Sequence, residues 1–351
     1  MTTAYVVEQQ ASVAKEGERI LIKKDRTVLH TLHAFKLEQI VLFGNIFLTP
    51  SAISYLLQKG IDAVFMSRNG RYRGRLQGPY SKNITLRQRQ FDRMRDPKFC
   101  LQTAKFIVSG KLYNLRAVLL RLNRSRERMN LDDQILGLKN LRNRVEDATN
   151  LDVLRGLEGK GTALYFEGFS RGFLKDGIEF KKRIRRPPTD PVNAVLSLGY
   201  TFLFNELMGA VSMIGLDPYL GSLHATEYGR PSLPLDLMEE WRPVIVDSLA
   251  LSLFNLNTLS HNDFIFKAAN DVQEEAVEED VMLGSSSLPV KLTDDGMRKF
   301  IVQFERKIAQ KINYHITGQQ LTYRDSIREQ IRHFARYIRG EDSLYQTIPL
   351  R

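Results

Sequence analysis

A chain of 351 residues with 43% hydrophobic side chains is long enough for two domains and apolar enough to bury a core. Its 51 Lys and Arg outnumber its 40 Asp and Glu, giving a formal net charge of +11, which points to a polyanionic partner, nucleic acid or an anionic membrane surface. The single cysteine, Cys100 in KFCLQTAKFIV, excludes an internal disulfide and a multi-cysteine zinc site and reads as a small buried hydrophobe.

From Ala4 to about Gln77 the chain reads as short strands between turns. A short helix is predicted over TPSAISYLLQKG, with Thr49 as cap, Pro50 at its first position and Gly60 closing it. IDAVFMS follows as a strand, and RNGRYRG carries the Asn-Gly signal of a tight hairpin. MTTAYVVEQQ has no basic flank with an apolar stretch behind it, and no apolar run reaches the roughly 20 residues of a spanning helix. A cytoplasmic protein without a membrane partner is expected.

After Pro79 the period turns helical. SKNITLRQRQFDRMRDPKFC reads as a basic connector helix, which sets the expected boundaries: a β-rich domain over 1–80, a connector over 81–98 and an all-helical domain over 99–351, hence an α+β chain. Arginines are dense between Arg116 and Arg144, either as a solvated face or as a phosphate-tracking surface. In LRGLEGKGTALYFEGF, Glu158 is flanked by Gly156, Gly159 and Gly161, which permit close approach of a backbone or ligand. The cluster Lys181, Lys182, Arg183, Arg185 and Arg186 suits phosphate contacts, and an exposed loop is the alternative.

His224 to Pro243, HATEYGRPSLPLDLMEEWRP, places a histidine and a Gly-Arg-Pro turn before three acids, Asp236, Glu239 and Glu240, near the start of a helix that continues into the apolar VIVDSLALSLFNLN. Negative charge is tolerated at a helix start, and charge beside a core must be paired or metal-bound. At about 100° per residue the three acids share one side, opposite Leu237, Met238, Trp241 and Ile245. Pro243 crowds the carbonyl of Glu239, so the helix should kink or loosen there. Geometry alone leaves the choice of acid open, as it leaves open ordinary solvated acids.

The acidic run DVQEEAVEED at 271–280 reads as a solvated loop. TDDGMRKFIVQFERKIAQKINYHI is a helix capped by Thr293 or Asp294. In YRDSIREQIRHFARYIRGE, Arg324, Arg328, Arg332, Arg336 and Arg339 fall on one helix face, a second candidate surface for a polyanion.

Taken together, LRGLEGKGTALYFEGF, PPTDPVNAVLSLGY, the histidine before GRPSLPLDLMEEWRP, LTDDGMRKF and YRDSIREQIRHFARYIRGE resemble, in order and spacing, the CRISPR-associated protein one family. That family comprises the metal-dependent integrase/endonucleases of CRISPR adaptation. The resemblance covers most of the chain and is densest over 151–243; the acidic run is a departure from it. It implies a β-rich N-terminal domain used in dimer formation and an all-helical catalytic domain. It maps a metal site for Mg²⁺ or Mn²⁺ onto Glu158, His224 and Glu239, with Asp236 as an orienting or auxiliary ligand and Glu240 as a surface or salt-bridging residue. Arg230 would lie near DNA, and Tyr165 and Tyr200 would stack on bases or hold DNA ends, unless they pack in the core. Partners would be double-stranded DNA and a small ferredoxin-like adaptation protein that joins two dimers into a heterohexamer. The rival readings are a non-catalytic DNA scaffold and a nuclease without strand transfer.

Overall fold

The computed structural model describes residues 2–78, 83–125, 129–175, 177–184, 187–224, 228–266 and 290–350. The chain divides into two units, Met1–Tyr80 and Ser81–Arg351.

In the first unit, alternating apolar residues build two four-stranded sheets. Strands β1 (Thr2–Val6), β5 (Leu37–Phe43) and β7 (Asp62–Met66) run parallel, and β8 (Tyr72–Leu76) returns antiparallel beside β7. The second sheet is ordered β4 (Thr27–His33), β3 (Arg19–Lys24), β2 (Ser12–Glu16), β6 (Phe47–Leu48). Val13, Ile20 and Ile22 from one sheet and Ile40, Leu42 and Ala63 from the other meet in one core with Ala52 and Leu56 of helix α1 (Pro50–Lys59). The predicted punctuation of α1 is present. Thr49 Oγ1 accepts from Ala52 N at 3.3 Å, Pro50 opens the helix, and Gly60 takes the left-handed conformation (φ 66°). The Asn-Gly turn closes the β7–β8 hairpin through Ser67 N donating to Arg71 O at 2.7 Å.

The second unit is mostly helical. Among the described residues it contains α2 (Ile84–Met94), α3 (Pro97–Ser125), α4 (Asp132–Asn143), α5 (Leu151–Ser170), α6 (Pro191–Ile214), α7 (Ser232–Met238), α8 (Ser248–Asn255), α9 (Asp294–Ile308) and α10 (Tyr323–Arg339). The expectation of an all-helical domain over 99–351 is corrected: β9 (Phe264–Phe266) pairs with β10 (Val290–Leu292), and β11 (Lys311–Asn313) with β12 (Gln320–Thr322). Three-residue strands are too short to leave a visible alternation. The stretch 81–98 is also more than a connector. Helix α2 packs on α3 and α10, and its buried Gln90 donates to the carbonyls of Asp217 and Leu220 (3.0 Å each) and accepts from Asp217 N at 2.7 Å. It thereby fixes the loop between α6 and α7.

Helix α6 starts at Asp190, whose carboxylate caps Asn193 N at 2.8 Å, and ends at Gly215 (φ 93°). By length and composition it could cross a membrane, contrary to the sequence reading that no run was long enough, but it is the packed centre of this unit, against α7 and α10. The predicted cap Thr293 opens α9. The acidic run 271–280 lies outside the described residues.

Beyond α10 the chain turns back as an extended strap. His333 Nε2 accepts from Gln346 N at 2.9 Å, Gln330 donates to Gln346 O at 2.6 Å, and Asn114 of α3 donates to Ile348 O at 2.8 Å and accepts from Leu350 N at 2.7 Å. Gly110 makes room for it, because a Cβ there would collide with Thr347.

Candidate metal centre

Two close-packed helices set the stage. Gly161 of α5 lies against Leu112 of α3, where any Cβ would collide. That approach puts Lys111 of α3 beside Glu158 of α5. Of the flanking glycines, only Gly161 has this function; Gly156 and Gly159 face open space. Glu158 Oε1 also accepts from Thr162 Oγ1 at 3.0 Å, one helical turn on.

The break expected beside Glu239 is found. Helix α7 ends at Met238, and Arg242–Asp247 form a π-helical turn before α8. Proline at 243 cannot donate into an α-helical ladder, so the wider turn takes its place. The break aims Glu239 at Lys111. Lys111 Nζ thus bridges two carboxylates, pairing with Glu158 Oε1 and standing 2.6 Å from Glu239 Oε2. Lys111 is 3% exposed and Glu239 2%. Burial alone would push the Glu239 carboxyl up. The charges of Arg242 (3.2 Å from Oε1) and Lys111 overcome it and hold the carboxyl down at about 2. Oε2 has no aligned hydrogen bond, only the ion pair.

Asp236 is turned the other way. Its Oδ2 accepts from Ser222 N (2.6 Å) and Leu223 N (2.9 Å), and its Oδ1 from His224 N (3.0 Å). Gly221 permits this contact, since a Cβ there would stand 2.6 Å from Oδ2. The His224 ring meets the same carboxylate, Nδ1 to Oδ1 at 2.6 Å. A carboxylate already accepting three amide hydrogens accepts a fourth from Nδ1, which leaves Nε2 as the acceptor nitrogen. Arg155 of α5 holds the loop from the opposite side, donating to Leu223 O at 2.8 Å.

Glu240 corrects its predicted place. It is 1% exposed, off the surface and with no salt bridge among the described residues. It accepts from Tyr345 OH and Ile348 N at 2.5 Å each, and burial pushes its carboxyl up to about 8. All three acids are therefore buried, and the solvent-facing polar side expected from a continuous helix does not exist, because the helix breaks within it.

Tyr165 and Tyr200 follow the core-packing alternative rather than DNA contact. Tyr165 has no exposed surface and donates to Asp247 Oδ2 at 2.9 Å; Tyr200 donates to Asp247 Oδ1 at 2.6 Å beneath the guanidinium groups of Arg183 and Arg242. They serve Asp247, whose carboxyl burial raises to about 6 against the pull of both hydroxyls and both arginines. With no exposed surface, Tyr165 is not placed to stack on a base. Arg183 is also engaged, donating to Asn193 Oδ1 (2.8 Å), Ser197 Oγ (3.0 Å) and Ile184 O (2.6 Å). Lys181 and Lys182 are exposed, Arg230 is partly buried, and Arg185 and Arg186 lie outside the described residues.

The arginine face of α10 is not an open cationic stripe. Arg324 reaches Glu206 (2.7 Å) and Glu305 (2.8 Å), Arg328 reaches Asp325, Arg332 reaches Glu329, Arg336 reaches Asp342 and Arg339 reaches Glu341. Exposed Arg121, Arg124 and Arg144 remain on α3 and at the end of α4.

Sequence reasoning missed Lys111, Arg242 and Asp247. Lys111 and Asp247 did leave a signal, each being the lone charge within an apolar run, IVSGKLYNL and VIVDSLALSLF.

The donor set suits a hard divalent ion. Two carboxylates already converge on one cation, a buried carboxylate oxygen lacks an aligned donor, and a histidine held through Nδ1 offers Nε2. As they stand, no three His, Cys, Asp or Glu side chains among the described residues are gathered closely enough to hold an ion. Lys111 occupies the point where the carboxylates meet.

Known proteins resemble the chain over most of its length. The family profile described as "CRISPR associated protein Cas1" matches residues 4–306. A CRISPR-associated endonuclease Cas1 from Thermus thermophilus is 34% identical over 349 residues, covering 99% of this chain and 97% of the relative. Two solved structures share the fold. A casposase bound to its integration product superposes with a TM-score of 0.83 at 23% identity, covering 99% of this chain and 93% of that one. A Cas6-RT-Cas1–Cas2 complex gives 0.81 at 24% identity, with all of this chain matched to 36% of that one.

Proposed function

The chain belongs to the CRISPR-associated protein Cas1 family, and from that premise we propose that it is a divalent-metal-dependent DNA endonuclease and integrase of CRISPR adaptation, working at Glu158, His224 and Glu239. The observation that carries this reading is the convergence of Glu158 and Glu239 on a single buried cation, with a histidine oriented beside them. Mg²⁺ and Mn²⁺ both fit two oxygens and an imidazole. Glu158 Oε, Glu239 Oε2 and His224 Nε2 would hold the ion, which when bound offsets negative charge developing on phosphoryl oxygens.

The remaining steps belong to the chain. Asp236 fixes the His224 tautomer. Arg242 keeps Glu239 ionised and aimed, and Asp247, gripped by Tyr165 and Tyr200, sits at the far end of the π-helical turn that places Arg242. Exposed Lys181, Lys182, Arg121 and Arg124 supply phosphate contacts that position DNA without reading its sequence. In integration the nucleophile is a DNA 3′-hydroxyl. It forms a new phosphodiester and releases the 3′-oxygen of the target strand, so no covalent enzyme intermediate is required; in hydrolysis water takes its place. The partners are double-stranded DNA and a Cas2-type protein, in line with the Cas1–Cas2 complex that shares the fold.

A homodimer through the first unit, two of which a ferredoxin-like protein joins into a heterohexamer, completes the assembly. Exposed Phe35 (76%) and Phe47 (68%) in that unit, with β4 as an open edge strand, support a protein contact there. The test of function is joining. A labelled duplex with free 3′-hydroxyls is incubated with a plasmid, with and without the Cas2-type protein, in Mg²⁺, Mn²⁺ or excess chelator. Joined product that depends on metal is expected, and full joining in chelator would overturn the reading.

A further inference from the structure

Lys111 is the one member of the centre for which the metal reading supplies no role. It lies on α3, 3% exposed, with its ammonium against Glu158 and 2.6 Å from Glu239 Oε2. Resting on the metal reading above, we propose that Lys111 is a stand-in cation: it holds the two carboxylates together in the metal-free chain and yields Glu239 Oε2 when a divalent ion enters, so that metal binding is an exchange of cations.

Three observations carry this. First, a metal ion and the ammonium claim the same oxygens. Magnesium binds carboxylate oxygen at about 2.0–2.1 Å, and two cations sharing one buried oxygen repel strongly. Second, the two oxygens of Glu239 are unequally held. Oε1 keeps Arg242 at 3.2 Å, whereas Oε2 has only the unaligned pair with Lys111, so Oε2 is the oxygen that can change partners. Third, with no cation at this point the Glu158 and Glu239 carboxylates, both drawn to one ammonium, would face each other with only Arg242 beside them, so a departing ammonium must be replaced by another cation.

The exchange has a consequence for DNA. An ammonium that has lost a carboxylate in a water-poor site needs another counter-charge, and a phosphodiester brought to the ion supplies it. Metal and DNA should therefore bind with positive, reciprocal coupling that passes through Lys111.

The experiment is calorimetric titration of Mn²⁺ into the full chain and into Lys111→Gln, each with and without a short duplex, alongside thermal unfolding in chelator and in Mn²⁺. Without DNA, Lys111→Gln should bind Mn²⁺ at least about tenfold more tightly than wild type. Its Tm in chelator should be lower and its Mn²⁺-induced rise in Tm larger. The duplex should tighten Mn²⁺ binding to wild type but not to the variant. Lys111→Met serves as a second variant: if it unfolds in chelator, Mn²⁺ should restore the fold. Mn²⁺ affinity equal to or weaker than wild type in Lys111→Gln, or Lys111→Met left unfolded by Mn²⁺, would overturn the exchange alone. A wild-type chain that binds no Mn²⁺ with or without DNA would overturn the metal reading beneath it.

Discussion

Asp236 and His224 are joined twice: His224 donates its backbone N–H to Oδ1 at 3.0 Å, and its ring Nδ1 meets the same oxygen at 2.6 Å. One carboxylate thus sets both the course of the loop and the orientation of the imidazole. Asp236→Asn would turn an NH₂ group toward the amides of Ser222 and Leu223 or toward Nδ1, and one of the two contacts must fail. We expect Mn²⁺ affinity and strand transfer to fall about 10–100-fold, with a lower Tm, while duplex binding in chelator is kept. Wild-type Mn²⁺ affinity in a folded variant would show that the ring needs no such hold. His224→Ala should abolish joining with a smaller loss of Tm, since the loop amides keep their acceptor.

The two neighbouring glutamates should separate cleanly. Glu239→Gln is expected to reduce joining to below about a hundredth with the fold intact. In Glu240→Gln the amide mimics a protonated carboxyl, can still accept from Ile348 N and can turn its NH₂ to the Tyr345 oxygen, so activity and Tm should stay near wild type. Glu240→Ala, in contrast, leaves Ile348 N without its acceptor and should cost about 2–4 kcal/mol in urea unfolding. Inactive Glu240→Gln beside active Glu239→Gln would reverse the assignment.

Asp247 gives a pH signature. Its carboxyl is raised from 3.8 to about 6 by burial, against the two tyrosine hydroxyls and then Arg242 and Arg183. A folded-state value above the unfolded one means the stability it confers is complete below about pH 4 and is lost as pH rises through about 6. Asp247→Asn does not titrate. The unfolding free energy of the variant should therefore gain on wild type by about 3 kcal/mol between pH 4 and pH 7. Parallel wild-type and variant profiles across that window would mean Asp247 is not a raised acid.

DNA affinity should fall steeply with salt and depend little on sequence, because the contacts are to phosphates. The same prediction extends to individual cations. Replacing both Lys181 and Lys182 by Gln should flatten the slope of log K against log salt by up to about two. Replacing Arg332 and Arg339, each paired with a glutamate more closely than Lys181 with Glu179 (3.6 Å), should leave the slope nearly unchanged. A larger loss from the α10 pair than from the loop lysines would put DNA on the other face.

What the sequence made legible was local chemistry. Thr49, Pro50 and Gly60 bracket a helix because capping acts over three or four residues, and the Asn69-Gly70 turn declares its hairpin for the same reason. Pro243 announced the break beside Glu239. Beyond that break a projection at about 100° per residue no longer held, since a π-helical turn advances differently, and the predicted shared polar side was lost with it. The arginines of α10 looked like one open face because Glu206 and Glu305, which neutralise Arg324, come from other helices. Lys111 and Glu158 are 47 residues apart, and Tyr345 and Glu240 are 105. A short-range pattern can mark Lys111 as a lone charge in an apolar run but cannot name a partner that distant.

The strap also sets when the neighbours of Glu239 can be seated. Glu240 adjoins Glu239 and is held by residues made 105 and 108 positions later, while Asn114 waits for Leu350, 236 positions after it. On the ribosome the acids therefore emerge long before the groups that seat them. A nascent chain should pass most of its synthesis with Glu240 and Asn114 lacking the partners that seat them in the folded chain.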